Sequence, residues 1–205
     1  MVRGFTDGKR REIRIRLLNK GRELFAARGF KNTGVRELAE AAGIAPGTFY
    51  QFFPAKEDLF FEIMEAEGNQ MRRKLLAVVG LHEDDPYQAI QGLFYQFFAE
   101  LNHSVLLKSL IMKGEMDDIY RRFTPRQKKA HNEASIIALE PIVKKWTEKG
   151  LIKLIDPQLL VGALRSLIFA ELFKEQMGLY PPAPGFLLEQ FLRGVVPGRE
   201  DKKDD

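Results

Sequence analysis

The chain of 205 residues, 45% hydrophobic and 29% charged, is long enough for one or two domains and too evenly mixed to be fibrous or wholly disordered. It contains no cysteine, which excludes a disulfide framework, a cysteine-based zinc site and a thiol nucleophile. The net charge of +4 is unevenly divided: residues 1–56 carry 12 Lys/Arg against 5 Asp/Glu, whereas residues 57–205 carry 20 against 23. A basic block of this kind suits a phosphate-facing surface, because each cation that neutralises a phosphate releases counterions.

Apolar residues recur at spacings of three and four rather than two, so the sequence predicts an all-α protein. The basic opening MVRGFTDGKRREIRIR is followed by no apolar segment, and the longest apolar stretch, Leu159 to Phe173, is interrupted by Arg165 and Glu171. The expectation is a cytoplasmic protein that is neither exported nor inserted in a membrane. A first helix, capped by Asp7, carries the stripe Ile13, Leu17, Gly21, Leu24 and Phe25 and ends at Gly29, with Phe30 packing back. A second helix runs over 35–42 and stops at Gly43; a third runs over 46–52 and stops before Pro54. A longer fourth helix follows from Pro54-Ala55 to about Val79.

Beyond it, Asp85-Pro86, Thr124-Pro125 and Asp156-Pro157 each pair a capping residue with a proline at the first helical position. The helices expected there are 86–102, 104–115, 118–149 with a break or kink at Pro141, 157–178, and 185–195. This divides the chain into an amino-terminal domain (1–54), a connecting helix (55–80), a carboxy-terminal helical domain (81–197) and a charged, frayed tail (198–205).

The segment VRELAEAAGIAPGTFYQF, Val35 to Phe52, fits a helix-turn-helix with Gly43 as the turn glycine. Two short helices crossing near a right angle need apolar residues at the contact, a small residue at the crossing and a backbone free to take positive φ in the turn. Leu38, Ala42, Ile44, Phe49 and Phe52 supply the first, Ala39 the second and Gly43 the third. Thr48 and Tyr50 fall on the opposite face of the second helix, which projects toward a DNA major groove.

These residues resemble the TetR family of bacterial transcriptional repressors over about residues 8–64. The shared pattern is Gly29-Phe30, Thr33, Leu38-Ala39, Ala42-Gly43-Ile44, Gly47-Thr48-Phe49-Tyr50, Phe53 and Lys56. The resemblance implies a three-helix DNA-binding domain followed by a helical bundle that binds a ligand and dimerises. It places Thr48 and Tyr50 at phosphates and base edges, Gly47 where the backbone approaches the duplex, Lys56 at a phosphate, and Arg36 at a base or phosphate. Ala45 and Pro46 depart from the family's usual Ser and Lys, and Gln51 and Phe52 from its common Tyr and His. Gln51 is a candidate to compensate, since its amide can pair bidentately with adenine. The expected DNA-facing set is therefore Arg36, Pro46, Gly47, Thr48, Tyr50, Gln51 and Lys56. Lys9, Arg10, Arg11, Arg14 and Arg16 are expected mainly to steer DNA through their charge.

The carboxy-terminal aromatics Phe94, Phe98, Tyr120, Phe123, Trp146, Phe169 and Phe173 are candidates for a pocket that takes a small apolar or amphipathic effector, as the resemblance implies. Each also suits ordinary core packing. Leu160, Leu164, Leu167, Ile168, Phe186, Leu187 and Phe191 lie on the last two helices, where family members dimerise. A homodimer would read a near-palindromic operator in double-stranded DNA. An alternative is a DNA-binding regulator whose bundle takes a protein partner. An enzyme is not expected: His82, His103 and His131 lack metal-binding spacing, no nucleophile or phosphate-loop motif occurs, and Asp84-Asp85 and Asp117-Asp118 suit helix starts. No cofactor or metal is expected.

Overall fold

The computed structural model describes residues 5–197. Among these residues ten helices occur and no strand: α1 (Asp7–Arg28), α2 (Val35–Ala41), α3 (Pro46–Phe49), α4 (Lys56–Leu81), α5 (Pro86–His103), α6 (Val105–Met112), α7 (Met116–Arg122), α8 (Pro125–Glu148), α9 (Pro157–Leu172) and α10 (Ala183–Val195). The expected tail, 198–205, lies outside the described residues. No helix among those described is long and apolar enough to cross a membrane.

The chain forms two compact units. One is drawn from residues up to Gln70 together with Glu100–Ala130, the other from Met71–Ala99 together with residues from His131 onward. This differs from a division in chain order, and the reason is packing. Leu106 and Leu110 of α6, Ile119 of α7 and Phe123 after it are buried in the same core as Ile13, Leu17, Phe25, Phe49 and Phe60. The segment that follows α5 thus completes the amino-terminal core.

Within that first unit, α1 is capped by Thr6 rather than Asp7: the Thr6 hydroxyl accepts from the Lys9 backbone N–H at 3.4 Å. Asp7 sits one residue later, where a carboxylate still favours the helix N-terminus. Ile13, Leu17, Gly21 and Phe25 form the buried stripe, four apart. At Gly21 a Cβ would lie 3.0 Å from Ile63 and 3.2 Å from Leu59, so α4 packs directly on the α1 backbone there. The rings of Phe25, Phe30 and Phe60 meet with centroids 5.0–5.7 Å apart, two of the three pairs edge-on.

The turn from α1 to α2 is held by polar side chains from distant parts of the unit. Glu115, buried between α6 and α7, accepts from the Phe30 backbone N–H at 2.6 Å. Gly29 leaves α1 at φ 87°, and a Cβ on it would lie 2.7 Å from Glu115 Oε1, so glycine is required both for the backbone angle and for the carboxylate's place. The buried Thr33 hydroxyl donates to the Gly29 carbonyl at 2.7 Å, and Lys113 Nζ donates to the Ala27 carbonyl at 3.1 Å. Lys31 pairs with Asp118, and Arg122 with Glu57.

The second unit is built around Trp146, Ile90, Val143, Leu160, Leu188 and Leu192. Trp146 Nε1–H donates to the Glu83 carbonyl at 2.6 Å, which satisfies the buried indole. Asp156 caps α9 by accepting from Gln158 N–H at 2.7 Å, with Pro157 in the first turn as expected, and α9 packs on α10.

Two helix expectations are corrected. The 118–149 stretch is two helices that break at Thr124-Pro125, not one that breaks at Pro141. Thr124 and Gln127 form a reciprocal cap: Thr124 N–H donates to Gln127 Oε1 at 2.8 Å, and Gln127 N–H donates to Thr124 Oγ1 at 3.3 Å. Pro141 lies inside α8 on an exposed position, where water can take the carbonyl bond the proline cannot make. The helix expected over 157–178 ends at Leu172, and the chain turns through Gly178 at φ 64°.

Replacing Glu115 by Ala leaves the Phe30 N–H buried without an acceptor. The variant is expected to lose about 2 kcal/mol of stability, a fall of roughly 4–8 °C in melting temperature for a chain of this size. Glu115→Gln, which keeps an accepting oxygen, should lose less. Thermal unfolding followed by circular dichroism checks both, and an unchanged Glu115→Ala melting temperature would contradict the assignment.

Candidate nucleic-acid interface and carboxy-terminal cavity

Between α2 and α3, Gly43 takes φ 70° and Ile44 N–H bonds back to the Ala39 carbonyl at 3.0 Å, closing the turn. Leu38, Ala39, Ala42 and Phe49 are buried at the contact, and Ile44 packs against the same core. Phe52, expected in that contact, is only partly buried; Phe53 takes the core position and lies 5.9 Å from the Phe49 ring. α3 begins with Pro46 in its first turn and Ala45, in extended conformation, as an uncapped N-terminus.

With Phe49 anchored inward, the rest of α3 points outward. Pro46, Gly47, Tyr50 and Gln51 are exposed, and Thr48 is half-buried. Nothing lies within 4 Å of where a Gly47 Cβ would stand, so no neighbour within the protein demands glycine there. Arg36 projects from α2 with 84% of its side chain exposed, its Nε donating to Glu40 Oε1 at 2.8 Å. That hydrogen bond, with the charge of Glu40, raises the Arg36 pKa above its ordinary value.

Lys56 has partners within the protein. Its Nζ donates to the carbonyls of Phe30 at 2.9 Å and Thr33 at 3.0 Å and lies 4.3 Å from the centre of the Phe30 ring. Burial pushes its pKa below the ordinary lysine value, with lesser effects from Glu57, Arg122 and Glu115. Two of the three ammonium donors thus fasten the α1–α2 turn, so the side chain has a role within the protein.

The basic residues of α1 also have partners. Lys9 and Arg16 both pair with Glu12, whose carboxyl is held below its ordinary pKa chiefly by the Lys9 hydrogen bond. Arg10 and Arg14 reach instead to the chain just after α3, at the Gln51 and Phe52 carbonyls, each at 3.2 Å.

Comparison with known proteins agrees with this geometry. Residues 17–63 match the sequence profile of bacterial regulatory proteins, tetR family. The chain is thus similar to the TetR family over its helix-turn-helix segment. It is 30% identical over 102 residues to the HTH-type transcriptional repressor KstR2 of Mycobacterium tuberculosis, a match covering 50% of this chain and 48% of KstR2. The chain thus matches about half the length of this curated relative. Its fold is similar to that of a TetR-family transcriptional regulator from Pectobacterium atrosepticum (TM-score 0.73, 19% identity, 95% of this chain and 99% of the other). It is also similar to RolR, solved in complex with resorcinol (TM-score 0.63, 24% identity, 93% and 90%).

In the second unit, a cavity of about 250 Å³ is lined by Phe94, Tyr95, Phe98, Glu171, Lys174, Pro181, Pro182 and Gly185. Lys174 pairs with Glu171 at 2.7 Å, both half-buried. Of the aromatics expected at a pocket, Phe94 and Phe98 line this one. Phe169 and Phe173 stack on each other, centroids 6.1 Å apart, and Phe169 is exposed. Three expectations are corrected. Tyr120 and Phe123 pack in the first unit, Phe123 edge-on to Phe61 at 5.0 Å, and Trp146 is a core residue of the second unit. Tyr95, Lys174 and Glu171 were not among the expected lining residues; Tyr95 belongs to the same aromatic run as Phe94, the signal by which it was legible.

The residues expected at a dimer interface divide by face. Leu160, Leu164 and Leu167 are buried in the core of their own unit, because this stripe of α9 faces inward. Ile168 and Phe191 pack partly against that core, whereas Phe186 and Leu187 are exposed. Leu159, on another face of α9, is exposed as well. Among the described residues, no group of three or more His, Asp or Glu side chains is placed to hold a metal ion.

Lys56→Met is expected to lower the melting temperature, since the Phe30 and Thr33 carbonyls lose a charged donor. The slope of DNA affinity against salt should stay within a few tenths of the parent's. A slope shallower by about 0.9 would mean that the side chain neutralises a phosphate.

Proposed function

We propose that this chain is a transcriptional regulator that binds a near-palindromic DNA operator as a homodimer and releases it when a small amphipathic effector occupies the second unit. The observation that carries the reading is the outward face of α3. Pro46, Gly47 and Thr48 of this four-residue helix, with Tyr50 and Gln51 just after it, surround the one buried residue, Phe49, that anchors it, and the surrounding quarter of the chain is strongly basic. Arg36 flanks that face from α2, and its exposed pair with Glu40 can be exchanged for a phosphate or guanine. The curated relatives named as repressors favour repression.

The apolar side chains Leu159, Phe169, Phe186 and Leu187, exposed on α9 and α10, support a symmetric interface between two copies. The cavity beside Phe94, Tyr95 and Phe98 supports the effector reading. Three rings offer flat apolar walls, and the Lys174–Glu171 pair offers one donor and one acceptor to a polar substituent. At about 250 Å³ it suits a molecule near the small end of ordinary ligands.

The test is fluorescence anisotropy with DNA from upstream of the protein's own gene against scrambled DNA, at two salt concentrations, with and without small hydroxylated aromatics such as resorcinol. Palindrome-dependent binding relieved by such a compound is expected. Coupling must be reciprocal, so operator should weaken effector binding by the factor by which effector weakens operator binding. Equal effector affinity for free and operator-bound protein would refute the release mechanism.

Gln51→Ala is expected to lose about 1–3 kcal/mol of discrimination at one A·T position while binding scrambled DNA as before. A panel of single-base operator variants checks this, and an unchanged preference at every position would remove Gln51 from base readout. Phe98→Ala should abolish the thermal stabilisation given by the effector while leaving operator affinity within twofold or so. Retained stabilisation would place the effector elsewhere.

A further inference from the structure

α3 has four helical residues, followed by two tight turns in which Gln51 N–H bonds to Thr48 O at 3.1 Å and Phe52 N–H to Phe49 O at 2.9 Å. So short a helix is not held by its own ladder, and once the Thr48 and Phe49 carbonyls close these turns, the carbonyls of the segment just after α3 need partners from elsewhere. Two carbonyls of that segment are met from α1. Arg10 Nη2 donates to the Gln51 carbonyl and Arg14 Nη1 to the Phe52 carbonyl, each at 3.2 Å. The two arginines are four apart, on one face of α1.

Each guanidinium also lies over an aromatic ring of the same segment: Arg10 is 5.2 Å from the Phe52 centroid and Arg14 is 4.5 Å from that of Phe53. The second terminal nitrogen of Arg14 pairs with Glu62 of α4. Phe5 also packs by Phe52, with ring centroids 6.2 Å apart. Arg14 therefore ties α1, the end of α3 and α4 through one planar group. Lysine cannot reproduce this, because its single ammonium is a point donor without a fork or a stacking face.

We infer that Arg10 and Arg14 are positioning residues that aim the reading face of α3 by holding the Gln51 and Phe52 carbonyls, and that they serve specificity rather than phosphate neutralisation. The inference rests on the DNA-binding reading above and replaces the expectation that these two arginines only steer. Base readout requires side chains placed to within hydrogen-bonding tolerance, whereas phosphate attraction tolerates a tilted helix. The two roles therefore separate in measurement. A lost phosphate contact makes the dependence of log affinity on log salt shallower by about 0.9. A lost positioning contact lowers the ratio of specific to non-specific binding and leaves that slope alone.

The experiment uses the full chain. The parent protein first enriches its preferred duplex from a randomised DNA pool, and the parent, Arg14→Lys, Arg14→Met and Arg10→Lys are then titrated against that duplex and a scrambled one between 50 and 200 mM salt. Melting curves confirm that each variant is folded. Arg10, which is exposed, supplies a variant that keeps the core intact if the Arg14 variants do not fold.

Arg14→Lys and Arg10→Lys are expected to bind scrambled DNA as the parent does, with the same salt slope, and to lose roughly tenfold in the preference for the enriched duplex. Arg14→Met should lose the preference at least as severely, also without a change of slope. Full specificity in both lysine variants would overturn the inference, as would an Arg14→Met slope shallower by about 0.9 with the preference intact. A parent protein that enriches no duplex would instead overturn the DNA-binding reading, and this inference with it.

Discussion

The turn between α1 and α2 is the point on which the first unit depends. Within six residues the chain leaves a long helix, reverses and enters the helix-turn-helix, so several backbone groups fall away from any helical ladder. Unpaired buried groups of this kind are costly, and each is met by a side chain: Phe30 N–H by Glu115 and the Phe30 and Thr33 carbonyls by Lys56, both from elsewhere in the chain, and the Gly29 carbonyl by Thr33 of the turn itself. Glu115 and Thr33 are among the few polar residues buried in the protein, and both are occupied here. The position of α2, and through it of α3, follows from how this turn is fastened.

The same fastening explains why α6 and α7 belong with the amino-terminal core. Leu106, Leu110, Ile119 and Phe123 bring apolar surface to the α1–α4 face, and Glu115, Lys113, Asp118 and Arg122 bring the polar contacts around it. Greasy and charged groups alternate along one short stretch of chain and dock together. The second unit has its own core around Trp146, and α4, α5 and α8 each contribute residues to both units.

Much of this was legible in the sequence, for identifiable reasons. The four-residue spacing of Ile13, Leu17, Gly21 and Phe25, the glycine at 43 and the proline-led starts at 86, 125 and 157 are local signals, and local signals survive folding. What escaped is nonlocal. Lys56 matches a family position, but its carbonyl partners are backbone atoms of a turn 23 and 26 residues away, which no residue pattern announces. Leu160, Leu164 and Leu167 read equally well as interface or core, since α9 carries apolar residues on more than one face and only packing decides which is covered. Tyr120 and Phe123 were assigned by chain order to the wrong unit, because sequence gives the aromatic but not the neighbour it meets. Arg10 and Arg14 read in the sequence only as charge, because the Gln51 carbonyl beside Arg10 and the Phe52 carbonyl and Glu62 beside Arg14 lie 38 to 48 residues away.

The discontinuity of the first unit also bears on how the protein is made. The four apolar residues that close its core arrive between positions 106 and 123, and Glu115 lies 85 residues beyond the backbone group it satisfies. On the ribosome, the DNA-reading segment emerges first yet lacks part of its hydrophobic complement until more than half of the chain has been made. Helices α1 to α3 are therefore exposed as a nascent, incompletely buried cluster during that interval, with the loop entropy of a long closure still to be overcome. Completion of the reading head is in this sense coupled to synthesis of the following helices, and a chain terminated before them would carry the recognition residues without the scaffold that orders them.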